Sequence, residues 1–251
     1  MDLRLAGKTA LVTGASSVGI GRVIARTLAE EGVRVAISAR RAPLLDEVAR
    51  EIRSAGLIEP VVIPADLYES DAPLALAQSA HKQLGRIDIL VNAAGASRPT
   101  TLDAPRELWE EAMLLNFLRL RELTHAVVKV MIEHGWGRIV NLTGTSEPYN
   151  INAANPSKAA VHAWAKGLSR EVAKHGITVN CLQPGRISSE QMLRMHPTEE
   201  KRRAFVQEVP ISRFGEPCEL ADLAVFLASP RASYITGTVI PVDGGLSRFA
   251  F

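Results

Sequence analysis

The stretch TALVTGASSVGIGRVIA, residues 9 to 25, decides the fold. An apolar, β-rich run over 9 to 14 breaks into a turn holding Gly14, Gly19 and Gly21, and a helical pattern starts near Arg22 and runs to 31. Glycines at such a junction permit a tight turn. They also let backbone N–H groups approach a pyrophosphate at the helix N-terminus, where the helix dipole favours negative charge. On this motif alone a nucleotide site and a plain strand-to-helix turn both stay open.

Working outward, the same alternation repeats. Strand-like runs fall at 33 to 39 (VRVAISA), 60 to 66 (PVVIPAD), 87 to 95 (IDILVNAAG), 137 to 144 (GRIVNLTG), 177 to 185 (ITVNCLQPG) and 237 to 245 (GTVIPVDGG). Helical patterns lie between them, including 43 to 55, 107 to 134 and 157 to 175. The strands are almost continuously apolar, which suits a sheet covered on both faces. The expectation is an α/β chain with a doubly wound parallel sheet, in one domain spanning 1 to 251. The least regular segment, 186 to 212, reads as a substrate lid over the strand ends.

Composition narrows the function. With 251 residues and 47% hydrophobic content the chain can bury a full core. Its 29 basic and 27 acidic residues are interspersed, for a formal charge of +2, so no footprint for nucleic acid or an anionic membrane is expected. The cysteines, Cys181 and Cys218, are too far apart for a CxxC pair and are expected to be small buried residues. The histidines form no HExxH pattern, so no metal site is expected. The N-terminus lacks the form of a signal peptide, and no apolar run approaches spanning length; the expectation is a cytoplasmic protein.

Further pieces follow in order: Asp66 at the end of the third strand, NAAG (92 to 95), Asn116 on an apolar helical face, PSK (156 to 158), QPGRISS (183 to 189) and ITGTVIPVDGG (235 to 245). This ordered set resembles the short-chain dehydrogenase/reductase family over essentially the whole length, and the resemblance implies a Rossmann fold binding a nicotinamide dinucleotide. Gly14, Ser16, Ser17, Gly19, Ile20 and Gly21 would form the pyrophosphate loop, which carries one residue more than the family's TGxxxGxG. Asp66 and Leu67 would meet the adenine, and Asn92, Ala93, Ala94 and Gly95 would pass beneath its ribose. Pro184, Gly185, Ile187 and Ser189 would face the nicotinamide and pyrophosphate, with Met192, Met195 and Phe205 in the lid. Where relatives that prefer NAD carry an acid, this chain has Ala39 followed by Arg40 and Arg41. A guanidinium fork matches phosphate geometry, so NADP(H) is expected over NAD(H), with Arg40 on the phosphate.

The family's catalytic set is an Asn, a Ser and Tyr-x-x-x-Lys. Asn116 and Lys158 match it, but the serine place falls on Gly144, with Thr145 or Ser146 reachable only by a loop shift, and the tyrosine place falls on Ala154. Tyr149 is the first candidate for a relocated proton donor; Lys158 itself or a water held by Asn116 are the others. The resemblance therefore implies hydride transfer between nicotinamide and a small carbonyl or secondary alcohol with an unusual proton relay. The alternatives are a nucleotide-binding regulatory subunit without redox activity and a non-redox enzyme such as a lyase. Small residues along the helix after Lys158 (Ala159, Ala160, Ala163, Gly167) suit a homotetramer like those of related proteins.

Overall fold

The computed structural model describes residues 1–16 and 18–249, apart from the side chain of Gln191. Ser17 therefore lies outside the described residues. Strands β1 (Thr9–Thr13), β2 (Arg34–Ala39), β3 (Val61–Pro64), β4 (Ile89–Asn92), β5 (Gly137–Leu142), β6 (Ile177–Pro184) and β7 (Val239–Val242) form one parallel sheet in the order β3-β2-β1-β4-β5-β6-β7. The strand order reverses between β1 and β4, which opens a crevice at their carboxyl ends.

Successive residues of each central strand point to opposite faces, so each face needs its own cover. Val12, Ile37 and Val91 pack with Ile24 and Leu28 of α1 (Ile20–Glu30), Leu45 and Val48 of α2 (Ala42–Ser54) and Leu220 and Val225 of α9 (Pro217–Ala228). Leu11, Ala36 and Leu90 pack instead with α3 (Ala72–Leu84), α5 (Arg119–His134) and α6 (Ala154–Val172) through Leu76, Leu123 and Val161. The chain is thus a single Rossmann-type domain with helices on both faces.

The helix expected over 107 to 134 is interrupted. After α4 (Arg106–Met113) comes a π-helical turn, Leu114–Leu118, centred on Asn116, before α5 resumes. The buried Asn116 amide donates to Ala112 O at 2.9 Å, while its Oδ1 accepts the Ala96 N–H at 3.0 Å. A long-range partner for the side chain accounts for the local widening of the helix. The segment 186 to 212 contains two short helices, α7 (Glu190–Met195) and α8 (Glu199–Val206).

Cys181 is buried on β6, and burial raises its thiol to a pKa of about 12, which makes it inert. Cys218, expected buried, is exposed in the first turn of α9, whose buried stripe begins at Leu220. Among the described residues no group of His, Cys, Asp or Glu could hold a metal, and no helix is long and apolar enough to cross a membrane.

Candidate active site

A cavity of about 590 Å³ opens at the strand carboxyl ends. Its wall begins at the glycine turn. Gly14 has φ +69°, and a Cβ there would stand 2.7 Å from the Ala93 and Ala94 backbone, so the loop after β1 can lie against the NAAG turn only without a side chain. Thr13 fastens this approach: its Oγ1 accepts the N–H groups of Ala93 and Ala94, both at 3.1 Å. Gly21 plays the same part for α1, since its Cβ would meet Gly14 O at 2.6 Å.

Deeper in, β5 and α6 bring Thr143, Gly144, Ala154, Asn155 and Lys158 to the cavity. Lys158 Nζ donates to Thr143 O at 3.1 Å, and burial lowers its pKa to about 8. The lysine stem runs over Gly144: a Cβ at that residue would meet Lys158 Cδ at 2.9 Å. One helical turn further, His162 Nε2 lies 2.8 Å from Thr143 Oγ1. The Thr143 hydroxyl donates to Leu182 O at 3.0 Å, so Nε2 is the protonated ring nitrogen in this arrangement. Burial, and secondarily the charge of Lys158, lower the His162 pKa and keep the imidazole neutral.

At the other end, Arg40 is exposed, with its Cζ 5.3 Å from the Tyr68 ring centroid. Among the described residues it forms no salt bridge. Arg41 is engaged: both its terminal nitrogens donate to Glu190, at 2.8 and 2.9 Å. The Glu190 N–H donates to Val18 O at 2.8 Å, so the start of α7 is tied to the glycine loop as well. Asp66 accepts the Tyr68 N–H at 3.0 Å and faces the cavity beside Leu67.

Most of the expected cofactor residues converge here: Gly14, Ser16, Gly19, Ile20, Gly21, Arg40, Asp66, Leu67, Ala93, Gly95, Lys158, Pro184, Gly185, Ile187 and Ser189 all line the cavity. Several are already occupied locally. Ile187 N–H donates to Gly185 O at 3.1 Å, and Ser189 Oγ caps α7 by accepting from Met192 N–H at 3.2 Å. Asn92 lies behind the wall, where its Nδ2 donates to Thr124 Oγ1 at 2.9 Å and Asn141 Oδ1 at 2.8 Å, joining β4 to α5 and β5. Asn116 is also behind the wall; a Cβ on Gly95 would come within 2.9 Å of its Oδ1. Thr145 Oγ1 accepts the Glu147 N–H at 3.0 Å, and Tyr149 is half exposed; neither lines the cavity. Residues that the sequence did not single out also line it: Thr143, Asn155, Arg186, Arg194 and His196. Of these Thr143 stood in the strand run GRIVNLTG and Arg186 in QPGRISS, neither with a role assigned.

Comparison with known proteins agrees with this fold. A family model described as enoyl-(acyl carrier protein) reductase matches residues 14–247. The galactitol 2-dehydrogenase (L-tagatose-forming) of Cereibacter sphaeroides is 38% identical over 248 residues, covering 96% of each chain. The 3-oxoacyl-[acyl-carrier-protein] reductase FabG of Aquifex aeolicus is 34% identical over 98% of this chain and 100% of its own. Among solved structures, the RhlG/NADP active-site complex of Pseudomonas aeruginosa superposes with a TM-score of 0.89 at 35% identity, covering 97% of this chain and 98% of the other.

Proposed function

The chain belongs to the short-chain dehydrogenase/reductase family, and from that premise we propose that it is an NADP(H)-dependent oxidoreductase acting on a small carbonyl or secondary alcohol, with Lys158 as its proton donor. The observation that carries the reading is the cavity itself: the glycine turn, Arg40, Asp66 and Lys158 line one continuous space at the switch of strand order. NADP(H), when bound, supplies or accepts the hydride. Arg40, just after β2, forms no salt bridge among the described residues and suits a 2′-phosphate, and relatives of known structure include NADP complexes.

The chain's own task is the proton. Reduction of a carbonyl leaves an alkoxide, and a positioned acid is worth about 10²–10⁴-fold in rate. Ala154 offers no hydroxyl, Gly144 offers none, and Tyr149 stands outside the cavity lining. Lys158 lines the cavity with a pKa near 8, so at neutral pH it is an ammonium able to give a proton and, in the reverse direction, an amine able to take one. Gly144 provides the room for its stem at the position where the resemblance puts the family's serine. Asn116 acts at one remove, holding the 95–96 turn beside the lysine.

The assembly reading is a homotetramer. Ala159, Ala163 and Gly167 are exposed on α6, and β7 is a sheet edge with alternate residues exposed, two surfaces able to meet copies of themselves.

A titration with NADPH and NADH, followed by a carbonyl and alcohol screen, tests the function. Tight NADPH binding with hydride transfer is expected. Failure to bind either dinucleotide overturns the reading; binding without turnover by the native chain, with turnover gained in Ala154→Tyr, replaces it by a non-redox function.

A further inference from the structure

Arg186 follows the Pro184–Gly185 turn at the end of β6, and its backbone is fixed: Gly185 N–H donates to Val242 O at 2.9 Å, and Gly215 N–H donates to Arg186 O at 3.0 Å. Its side chain is 92% or more buried, with the residue only 8% exposed, yet it lines the cavity. The guanidinium lies on the Phe205 ring, Cζ 3.6 Å from the centroid, and Phe205 in turn stacks on His196 with centroids 4.1 Å apart. Nη2 pairs with Glu208. Nη1 is buried with no hydrogen-bond partner among the described residues.

A buried cationic donor left unpaired is costly, and native interiors rarely retain one without a use. The Glu208 side chain is 55% exposed, so water competes for it and the pair leaves the guanidinium only partly neutralised. Around it the lining adds Arg194 and Lys158, while the carboxylates of the cavity lie elsewhere: Asp66 stands at the end of β3 and Glu190 is taken by Arg41. Met192, Met195 and Phe205 supply apolar surface beside these cations.

We propose that Arg186 anchors a carboxylate of the substrate, so that the class turned over is an oxo acid and its hydroxy acid, with an aliphatic spacer between carboxylate and carbonyl. A guanidinium edge fits a carboxylate in a planar, charge-assisted pair, and Nη1 is the donor that no described residue takes. The spacer rests on the methionines and the aromatic ring. This deepens the oxidoreductase reading and depends on it for the reaction, though the binding claim stands on the cavity alone.

Isothermal titration of levulinate and of methyl levulinate, each with NADP⁺ present to prevent turnover, tests it. The acid should bind the native protein about tenfold or more tighter than the ester, the scale of a charge-assisted hydrogen bond. The gap should close in Arg186→Met with NADP⁺ still bound, and widen in Glu208→Gln, which frees the guanidinium for the ligand. Equal affinity of acid and ester for the native protein overturns the proposal without any variant. So does a gap that survives in Arg186→Met. NADP⁺ titrated alone reports separately on the cofactor reading: if NADP⁺ fails to bind while the acid is still preferred over the ester, the oxidoreductase assignment falls and the carboxylate site remains.

Discussion

Lys158 gives the sharpest test of the proton assignment. With a pKa lowered to about 8 by burial, about 90% of the side chain is ammonium at pH 7 and about 10% at pH 9. If it donates the proton, the rate of carbonyl reduction should be level below pH 7, fall about tenfold between pH 7 and 9, and continue downward about tenfold per unit. Oxidation of the alcohol needs the amine and should rise over the same interval. An ordinary lysine would hold the reduction rate level to about pH 10. Single-turnover absorbance of NADPH, repeated with deuterated cofactor to show that chemistry limits the rate, is the assay. Lys158→Arg keeps the charge but loses its proton only near or above pH 12, so it should lower reduction by about 10²-fold or more and remove the limb near pH 8. A profile level through pH 10 in the native protein, or an unchanged limb in Lys158→Arg, refutes the assignment.

Other expectations follow from the same geometry. Arg40→Ala should weaken NADPH by about tenfold or more and NADH by less than about twofold, read by fluorescence titration, because only the former offers a phosphate. Gly14→Ala places a Cβ at 2.7 Å from backbone in a left-handed conformation and should cost about 2 kcal/mol or more in urea unfolding. Tyr149→Phe should leave turnover within about threefold of native, as expected of a half-exposed side chain outside the cavity lining. Multi-angle light scattering should return a tetramer at micromolar concentration; a monomer sinks the assembly reading.

The sheet was readable because each strand is a continuous apolar run bounded by glycine, proline or a short polar residue, and the observed strands lie inside those runs. The run at 87 to 95 is shorter as a strand, Ile89–Asn92, because Ala93, Ala94 and Gly95 leave the sheet to form the cavity wall, where Thr13 holds the first two. That these residues would come together at one cavity was legible from motif order. The π-helical turn was not, since it depends on Ala96, far from Asn116 in sequence. The position of Tyr149 was equally hidden: loop length allowed its hydroxyl to reach inward or outward. The loop is set by Thr100 N–H donating to Ile151 O and by Ala153 N–H donating to Arg98 O, both long-range. Arg186 escaped notice because its partners, Phe205 and Glu208, share no periodicity with it and meet it only once α8 folds over the strand ends.

The fork between Arg41 and Glu190 has a kinetic consequence. Both side chains are nearly half exposed, so the pair contributes on the order of 0.2–1 kcal/mol and favours the docked lid by no more than about fivefold. Such a latch is a bias and not a lock. The fork joins the residue after Arg40 to the first residue of α7, and both of its residues line the cavity. On the proposed dinucleotide reading, release should quicken as added salt screens the pair.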